Sequence, residues 1–448
     1  MMAPFLCSPA RSRALRCGRV LILLMLVAGS AYSSETPKTM AARLVASPEA
    51  GWPQFRGARR DGVSDERGLL EAWPEDGPPV VWTAENLGRG YSSAIIAGGR
   101  IYVTGDVGEE LHVFALDLGG KPLWQAKHGA AWKDPYPGAR ASVTFSDGRL
   151  YLENAHGRVA CFDASTGREV WAVELLERFG GQNITWGLSE CLLVDERAVY
   201  ATAGGSEALL VALDKTTGVV LWKSPPLRDS EGDRPVENAS YVSPILVEFA
   251  GRRLVIGSSL RHLFCADAAT GALQWTRRFP TTYSVISTMP ALVNSGIFMT
   301  APHGKGGQYF ELKPPTAPDN LVGAEDRWKT TLDTLQGCVV QTGGRLIGSF
   351  YGGRKGWAAI SAQTGEVLYT LPDTKGAPLV ADGRIYALCE DGWMLLLEAG
   401  ETQFTQHGRF RFAKADRRDA WAHPVLLDGR LYLRFHEKLV CYDVRRAR

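Results

Sequence analysis

The sequence predicts an all-β, eight-bladed β-propeller of four-stranded antiparallel blades. Three observations predict it: a unit of roughly 40–50 residues recurs along the chain, most copies end in an aromatic outer strand, and the last copy lacks a strand that the other end of the chain can supply. A composition of 45% hydrophobic and 22% charged residues, with 49 glycines, 13 tryptophans and 14 tyrosines in 448 residues, suits a globular chain rich in turns and aromatic strands.

The first piece of each unit is a short apolar strand, a turn and a second strand: residues 94–103 (AIIAGGRIYV), 143–152 (VTFSDGRLYL), 378–387 (PLVADGRIYA) and 424–433 (PVLLDGRLYL). The glycine of each turn supplies the positive φ that a tight hairpin needs. The second piece is a strand closed by a turn: residues 159–167 (VACFDASTG), 210–218 (LVALDKTTG), 264–271 (FCADAATG) and 358–365 (AAISAQTG). In most copies an Asp opens this turn and can bind the backbone ahead of it, while Gly takes the left-handed position.

An outer strand follows, carrying Trp124, Trp171, Trp222, Trp275, Trp328 or Tyr369, with a degenerate copy near Phe410. One blade cannot bury both of its faces. Radial stacking buries both, and a planar ring at the same place in each outer strand wedges between neighbours, so these aromatics are structural. The last unit runs through CYDV at residues 441–444 and stops, whereas VVWT at residues 80–83 carries Trp82 ahead of the first inner strand. The N-terminal strand is therefore expected to close the last blade and leave no free edge.

Arg11, Arg13, Arg16 and Arg19 precede an apolar run at residues 20–28 and the small residues Gly29, Ser30 and Ala31. This is the order of a cleaved signal peptide, and the run is too short to span a bilayer as a helix. The expected division is a signal peptide at 1–31, a flexible segment at 32–50 and a single propeller at 51–448, periplasmic or secreted, with no transmembrane domain after cleavage. Cys7 and Cys17 precede the apolar core, which disfavours a lipid anchor. Loss of four arginines and no acid takes the formal charge from +2 to −2, which argues against nucleic acid as a partner. A monomer is expected.

Cys161, Cys265 and Cys441 take a third-strand position held elsewhere by Ala115, Ala212 and Ala359, as small core residues. Cys191 and Cys338 are read at an inner-strand position shared with Ala94 and Val143, on well-separated blades. No structural disulfide is expected.

The turn pattern D-x-x-T-G-x-x-x-W resembles the PQQ-like repeats of the quinoprotein-dehydrogenase-like propellers. The opening Trp52-Pro-Gln-Phe-Arg-Gly with Asp61-Gly62, the stretch Trp186-Gly-Leu-Ser-Glu190 and the ending around His423-Pro and Cys441-Tyr-Asp-Val are similar to an uncharacterised bacterial branch of that family. The resemblance implies eight blades. It points to two functions: quinoprotein alcohol dehydrogenases hold PQQ and calcium on the propeller, whereas the outer-membrane assembly lipoprotein uses a similar ring as a protein-binding scaffold. The dehydrogenases place an adjacent Cys-Cys pair beside the quinone, and no two cysteines are adjacent here; nor does the chain carry C-x-x-C-H, H-E-x-x-H or EF-hand spacing.

Function is then expected at the channel mouth, where outer strands cross to the next inner strand. Tyr91, Arg140, Tyr241, Lys375 and Trp421 precede inner strands, with Glu190 and His423 at the first strand position and Trp186 just before Glu190. Their variety within a regular repeat marks a surface adapted to a ligand. The Gly-rich, cationic loops at 302–307 (PHGKGG) and 351–355 (YGGRK) belong on the same face, as does the Pro-stiffened crossover WKDPYPGAR at 132–140. His423 has no nucleophile and orienting acid assignable to it by spacing, and is expected to line the channel. The leading expectation is a non-catalytic scaffold or binding protein for a protein, glycan or small molecule, with no cofactor. The alternative is a PQQ- and calcium-dependent dehydrogenase with a divergent site.

Overall fold

The computed structural model describes residues 41–228, 236–352 and 356–446, so the expected signal peptide lies outside the described residues. Eight sheets follow one another around a ring: residues 95–130, 144–174, 193–223, 245–278, 291–330, 340–371 and 376–411 form blades one to seven, each a four-stranded antiparallel meander. Blade eight takes its inner three strands from residues 425–443 and its outer strand from Val80–Ala84, where Trp82 faces Cys441 and Thr83 faces Val440. The expected closure is what forms.

The local chemistry read from the repeat sets each blade. The first hairpin turns with positive φ at both central residues, as at Asp147 and Gly148 (49° and 68°) and Asp428 and Gly429 (52° and 66°), a geometry whose twist matches the flanking strands. In the second turn, Asp163 Oδ1 accepts hydrogen bonds from the Ser165 and Thr166 amides and hydroxyls, which hold its carboxyl down at about 2. Asp214 and Asp267 repeat the arrangement with Thr217 and Thr270.

Each outer strand carries a bulge beside its docking position. The bulge turns the ring toward the next blade. Trp171 lies over Gly218, whose φ of 72° and lack of Cβ leave room for the indole: a methyl there would sit 2.8 Å from the ring. The Trp171 Nε1–H donates to the Lys215 carbonyl at 3.1 Å, and the Tyr151 hydroxyl donates to the same oxygen. Trp124 with Tyr102 and Trp222 with Tyr200 repeat this joint on Ala164 and Ala268. Tyr369 does the work of a Trp by sending its hydroxyl to the Gly400 carbonyl.

Blade seven differs from its neighbours. The position opposite Leu396 is Gly408, not Phe410, and Trp73 from the N-terminal segment packs there, 5.8 Å from Tyr386 and 5.2 Å from Phe410 between ring centroids. Part of the segment read as flexible also carries structure. Arg43–Leu44 adds a fifth strand to the inner edge of blade four, with Arg43 bonded to Glu248 at 2.7 Å.

The six cysteines of the described residues are buried and unpaired. Cys161, Cys265 and Cys441 face Trp171, Trp275 and Trp82, the places of Ala115, Ala212 and Ala359 opposite Trp124, Trp222 and Tyr369. The reading of Cys191 and Cys338 needs a correction of one residue: pairing of Leu193 with Tyr200 and of Val340 with Ile347 aligns them with Ser93 and Ser142, not with Ala94 and Val143. Inner strands are only two to six residues long by pairing, so their apolar pattern sets register loosely.

Candidate functional site

Strand pairing gives the channel a common register. Counting four residues back from the inner-strand residue that faces the second-strand aromatic or its equivalent yields Tyr91, Arg140, Ser189, Tyr241, Ser287, Gln336, Lys375 and Trp421 in blades one to eight. All eight line one cavity of about 1010 Å³. Two residues deeper, Ser142, Cys191, Ser243, Met289, Cys338 and His423 line it as well. Side chains alternate along an extended backbone, so the residue between these rings points away from the channel.

That alternation places Glu190 apart from the other expected residues. Its side chain is buried between blades two and three, accepts from the Thr202 amide at 3.2 Å and lies beside the buried Glu153, with Arg60 nearby. Burial raises both carboxyls. Tyr91, Arg140, Trp186, Tyr241, Lys375, Trp421 and His423 do come together at the cavity. The sequence reading missed Ser189, Ser287 and Gln336. A strict count from the paired strand residue would have found them.

A hydrogen-bonded girdle fixes the ring at its neck. The His423 amide donates to Ser93 Oγ, Ser93 to Ser142 Oγ, Ser142 to Cys191 Sγ and Cys191 to Ser243 Oγ, at 2.9, 2.9, 3.2 and 2.9 Å. Each bond crosses from one blade to the next.

The floor comes from the N-terminal segment. Trp52 pairs with Ile96 of blade one, Arg60 donates to the Cys191 and Leu192 carbonyls beside blade three, Arg56 donates to the Val339 carbonyl beside blade six, and Ser64 donates to Val380 of blade seven. Phe55 rises from this segment into the cavity and meets His423 edge-on, with centroids 4.7 Å apart. A smaller space of about 230 Å³, lined by Arg56, Arg60 and Leu44, lies on the segment's other side. The motif W-P-Q-F-R-G thus stops the channel and leaves a cavity open at one end.

Chemistry differs around the wall. Blades seven, eight, one and two present Lys375, Trp421, Tyr91 and Arg140 in succession. Tyr91 and Tyr136 pack on Trp421 at 4.9 and 5.2 Å, and the Arg140 guanidinium lies 5.2 Å from the Trp132 ring while donating to the Tyr136 and Gly138 carbonyls. The crossover 132–140 reaches the cavity through Tyr136 and Arg140. Arg417 and Arg418, from the crossover into blade eight, join this wall. Trp186 packs on Tyr241 at 5.8 Å, and burial pushes the Tyr241 hydroxyl up to about 12. His303 and Tyr351, from the two Gly-rich loops, meet at 4.3 Å and line the cavity; residues 353–355 of the second loop lie outside the described residues.

Two carboxylates line the cavity, and both have cations. Asp373 lies 3.6 Å from Arg409, and Glu390 lies 3.7 Å from Lys375 while accepting from Gln336 Nε2 at 3.0 Å. Burial lifts the Glu390 carboxyl to about 7 against the pull of Lys375. Burial, with Arg56 adding, drives His423 down to about 3. The neutral ring donates its Nε2–H to the Gln336 carbonyl at 3.0 Å and turns Nδ1 to Arg56 at 3.4 Å. Held this way, His423 has no free nitrogen for a substrate proton.

Comparison with known proteins gives the same architecture in two functional settings. The family profile described as "Outer membrane protein assembly factor BamB" matches residues 109–277 and 207–310. Polyvinylalcohol dehydrogenase of Sphingopyxis sp. is 23% identical over 350 residues, covering 69% of this chain and 50% of that protein, so the match spans half the length of this curated relative. Among solved structures, BamB from Moraxella catarrhalis superposes with a TM-score of 0.58 at 16% identity, over 82% of this chain and 99% of the other. Quinohemoprotein alcohol dehydrogenase from Comamonas testosteroni gives 0.59 at 13% identity, over 89% and 81%. At those identities the structural likeness concerns the fold.

Proposed function

We propose, from the premise that the chain is a PQQ-like-repeat β-propeller related to the quinoprotein alcohol dehydrogenases and to BamB, that it is a non-catalytic binding protein of the cell envelope. Its ligand enters the stopped channel from the crossover-loop face. One observation carries this reading: eight side chains of six types at one repeat position converge on a single cavity of about 1010 Å³, while the surrounding joints stay regular. A cavity of that size, with aromatic rings beside convergent polar and charged groups, suits a small ligand or the end of a chain. The arginine-rich start and short apolar run support export, to the periplasm or beyond.

The dehydrogenase relatives raise PQQ with calcium as a second reading, and the cavity does not fit that pair. Calcium takes six to eight oxygen ligands. Here Asp373 and Glu390 are matched by Arg409 and Lys375, and no three His, Cys, Asp or Glu side chains gather as a metal-holding group among the described residues. Cys191 and Cys338, the two thiols of the cavity, come from blades three and six. No catalytic step is therefore assigned.

The test uses the whole exported chain with PQQ, calcium and a series of alcohols. The expected result is no thermal shift, no retained quinone absorbance and no alcohol-dependent dye reduction; turnover would sink the binding-protein reading. The complementary variant is Ser287→Trp, which fills the cavity from a position whose hydroxyl has no partner. It should fold like the parent and lose whatever small ligand a thermal-shift screen finds.

A further inference from the structure

The wall of the cavity is divided by chemistry, and the division specifies a ligand. On blades seven, eight, one and two, the cations Lys375 and Arg140 flank the rings of Trp421 and Tyr91, with neither a serine nor an acid at the ring position. On blades three to five the same position is Ser189, Tyr241 and Ser287, all hydroxyls, with Ser243 two residues below Tyr241. Arg140, Arg417 and Arg418 make no ion pair with a carboxylate among the described residues, although all three line the cavity. On the hydroxyl side, Ser287 Oγ has no partner and Ser243 Oγ accepts from Cys191, leaving its own proton to donate. Trp421 Nε1 and His303 Nδ1 are also buried without partners at the cavity.

We propose that the cavity takes an acidic pyranose, a sugar bearing a carboxylate, with its carboxylate against the guanidinium wall and its hydroxyls against the serines. This deepens the binding-protein reading and rests on it. Guanidiniums without a carboxylate partner, as at Arg417 and Arg418, select a carboxylate and form two parallel hydrogen bonds with it, while Arg140, already donating to the Tyr136 and Gly138 carbonyls, adds positive charge to the wall. The half-exposed face of Trp421 and the exposed ring of Tyr136 offer flat apolar surface to the C–H face of a pyranose. The Ser243 and Ser287 hydroxyls and the Trp421 indole N–H, each able to donate, match a ring of secondary hydroxyls, while the Ser189 hydroxyl, which donates to the Tyr241 carbonyl, can accept from one. A planar aromatic polycarboxylate would satisfy the cations and leave the hydroxyl wall of blades three to five without partners, which costs binding free energy at a buried site. The sugar could be free or the terminus of a glycan, and both present the same group to this cavity.

The experiment is calorimetric titration of the exported chain with glucuronate, an oligouronate, glucose and benzene-1,2,4-tricarboxylate, at low and high salt. Glucuronate should bind at least about tenfold more tightly than glucose, with the gap shrinking in salt because it is electrostatic. The double variant Arg417→Ala/Arg418→Ala, at an exposed crossover, should remove most of that gap, whereas Ser287→Ala should weaken both sugars alike by about two- to fivefold. Tighter binding of the oligouronate assigns a glycan end, and equal binding assigns the free sugar; either supports the proposal. Equal affinity for glucose and glucuronate overturns it. So does tighter binding of the tricarboxylate that the arginine variant abolishes, an outcome that keeps the cavity as a binding site and discards the sugar. If no probe binds either the parent or the variants, the sugar proposal falls, and a parent chain that takes no ligand in the wider thermal-shift screen removes the binding-protein reading with it.

Discussion

At the outer edge of the blades, the position opposite the third-strand residue that faces the second strand's aromatic or its equivalent is Trp in blades one to five and eight, Tyr in blade six, and in blade seven a Gly that admits Trp73 from elsewhere in the chain. At the channel, one repeat position is Tyr, Arg, Ser, Tyr, Ser, Gln, Lys and Trp in turn. Both positions are fixed by the same ladder of strand pairs. The outer ring must solve one packing problem eight times, because a flat ring has to fit between two blades that meet at a fixed angle. The inner ring faces an open cavity, where no neighbouring backbone dictates shape. Uniformity therefore marks what the fold demands, and variety marks what the fold leaves free.

The strongest way to break this comparison is to open the ring. A chain starting at residue 90 loses Trp82 and its strand, Trp73 under blade seven, and the floor segment with Arg56 and Arg60. It should fail to unfold as one cooperative unit, and a calorimetric transition matching the parent's would show that closure is dispensable. Next comes the same substitution made in both rings. Trp171→Ala removes an indole that packs on the next blade and donates to Lys215, and should cost about 3 kcal/mol, read by denaturant unfolding. Trp421→Ala removes an indole whose Nε1 has no partner, and should cost under about 1.5 kcal/mol while weakening ligand binding. Equal costs would erase the distinction between the rings.

How much of this was legible in the sequence follows the same line. Blade number, closure by Trp82 and the cysteine–alanine equivalence could all be read, because each is a repeated solution and repetition shows in one chain without relatives. Five ring residues, Tyr91, Arg140, Tyr241, Lys375 and Trp421, stood out because their types are unusual just before a strand. Ser189, Ser287 and Gln336 did not, being ordinary in any loop. Glu190 was misplaced by one residue, since a strand's faces alternate and a single slip exchanges cavity for core. The floor could not be read at all: Trp52, Phe55, Arg56 and Arg60 lie outside the repeat, and their partners are carbonyls of blades far away in sequence.

A third prediction sharpens the contrast through pH. Glu390 is buried at the cavity and its carboxyl is raised to about 7, above the 4.5 of an unperturbed glutamate. The folded state therefore holds this proton more tightly than the unfolded chain. Its contribution to stability is fully present below pH 4.5 and is lost as pH rises through 7. The loss should be on the order of 1–3 kcal/mol. Glu390→Gln should lose less stability between pH 5 and pH 8 than the parent, in paired denaturant titrations. Glu190 and Glu153 move in the same direction, and since the variant keeps both, the difference isolates the cavity carboxyl. Parallel curves for parent and variant would mean that Glu390 remains ionised and solvated.

The smallest effect probes whether the outer ring demands an indole or only a ring with a donor. Tyr369 takes the docking position of blade six, and its hydroxyl reaches the Gly400 carbonyl as the Trp124, Trp171 and Trp222 indoles reach theirs. Tyr369→Phe keeps the ring and deletes the donor, leaving a carbonyl unmatched, and should cost about 0.5–1.5 kcal/mol. Tyr369→Trp restores a donor in a larger ring. In blade six the ring meets Phe404 edge-on at 5.1 Å, where its counterparts in blades one to three lie over a turn glycine, so an indole gains area but must displace Phe404. If Trp at 369 is at least as stable as Tyr, the outer ring is one interchangeable joint. If it is less stable than Phe, blade seven has adapted to Tyr369, and the uniformity of the outer ring is local agreement between neighbouring blades.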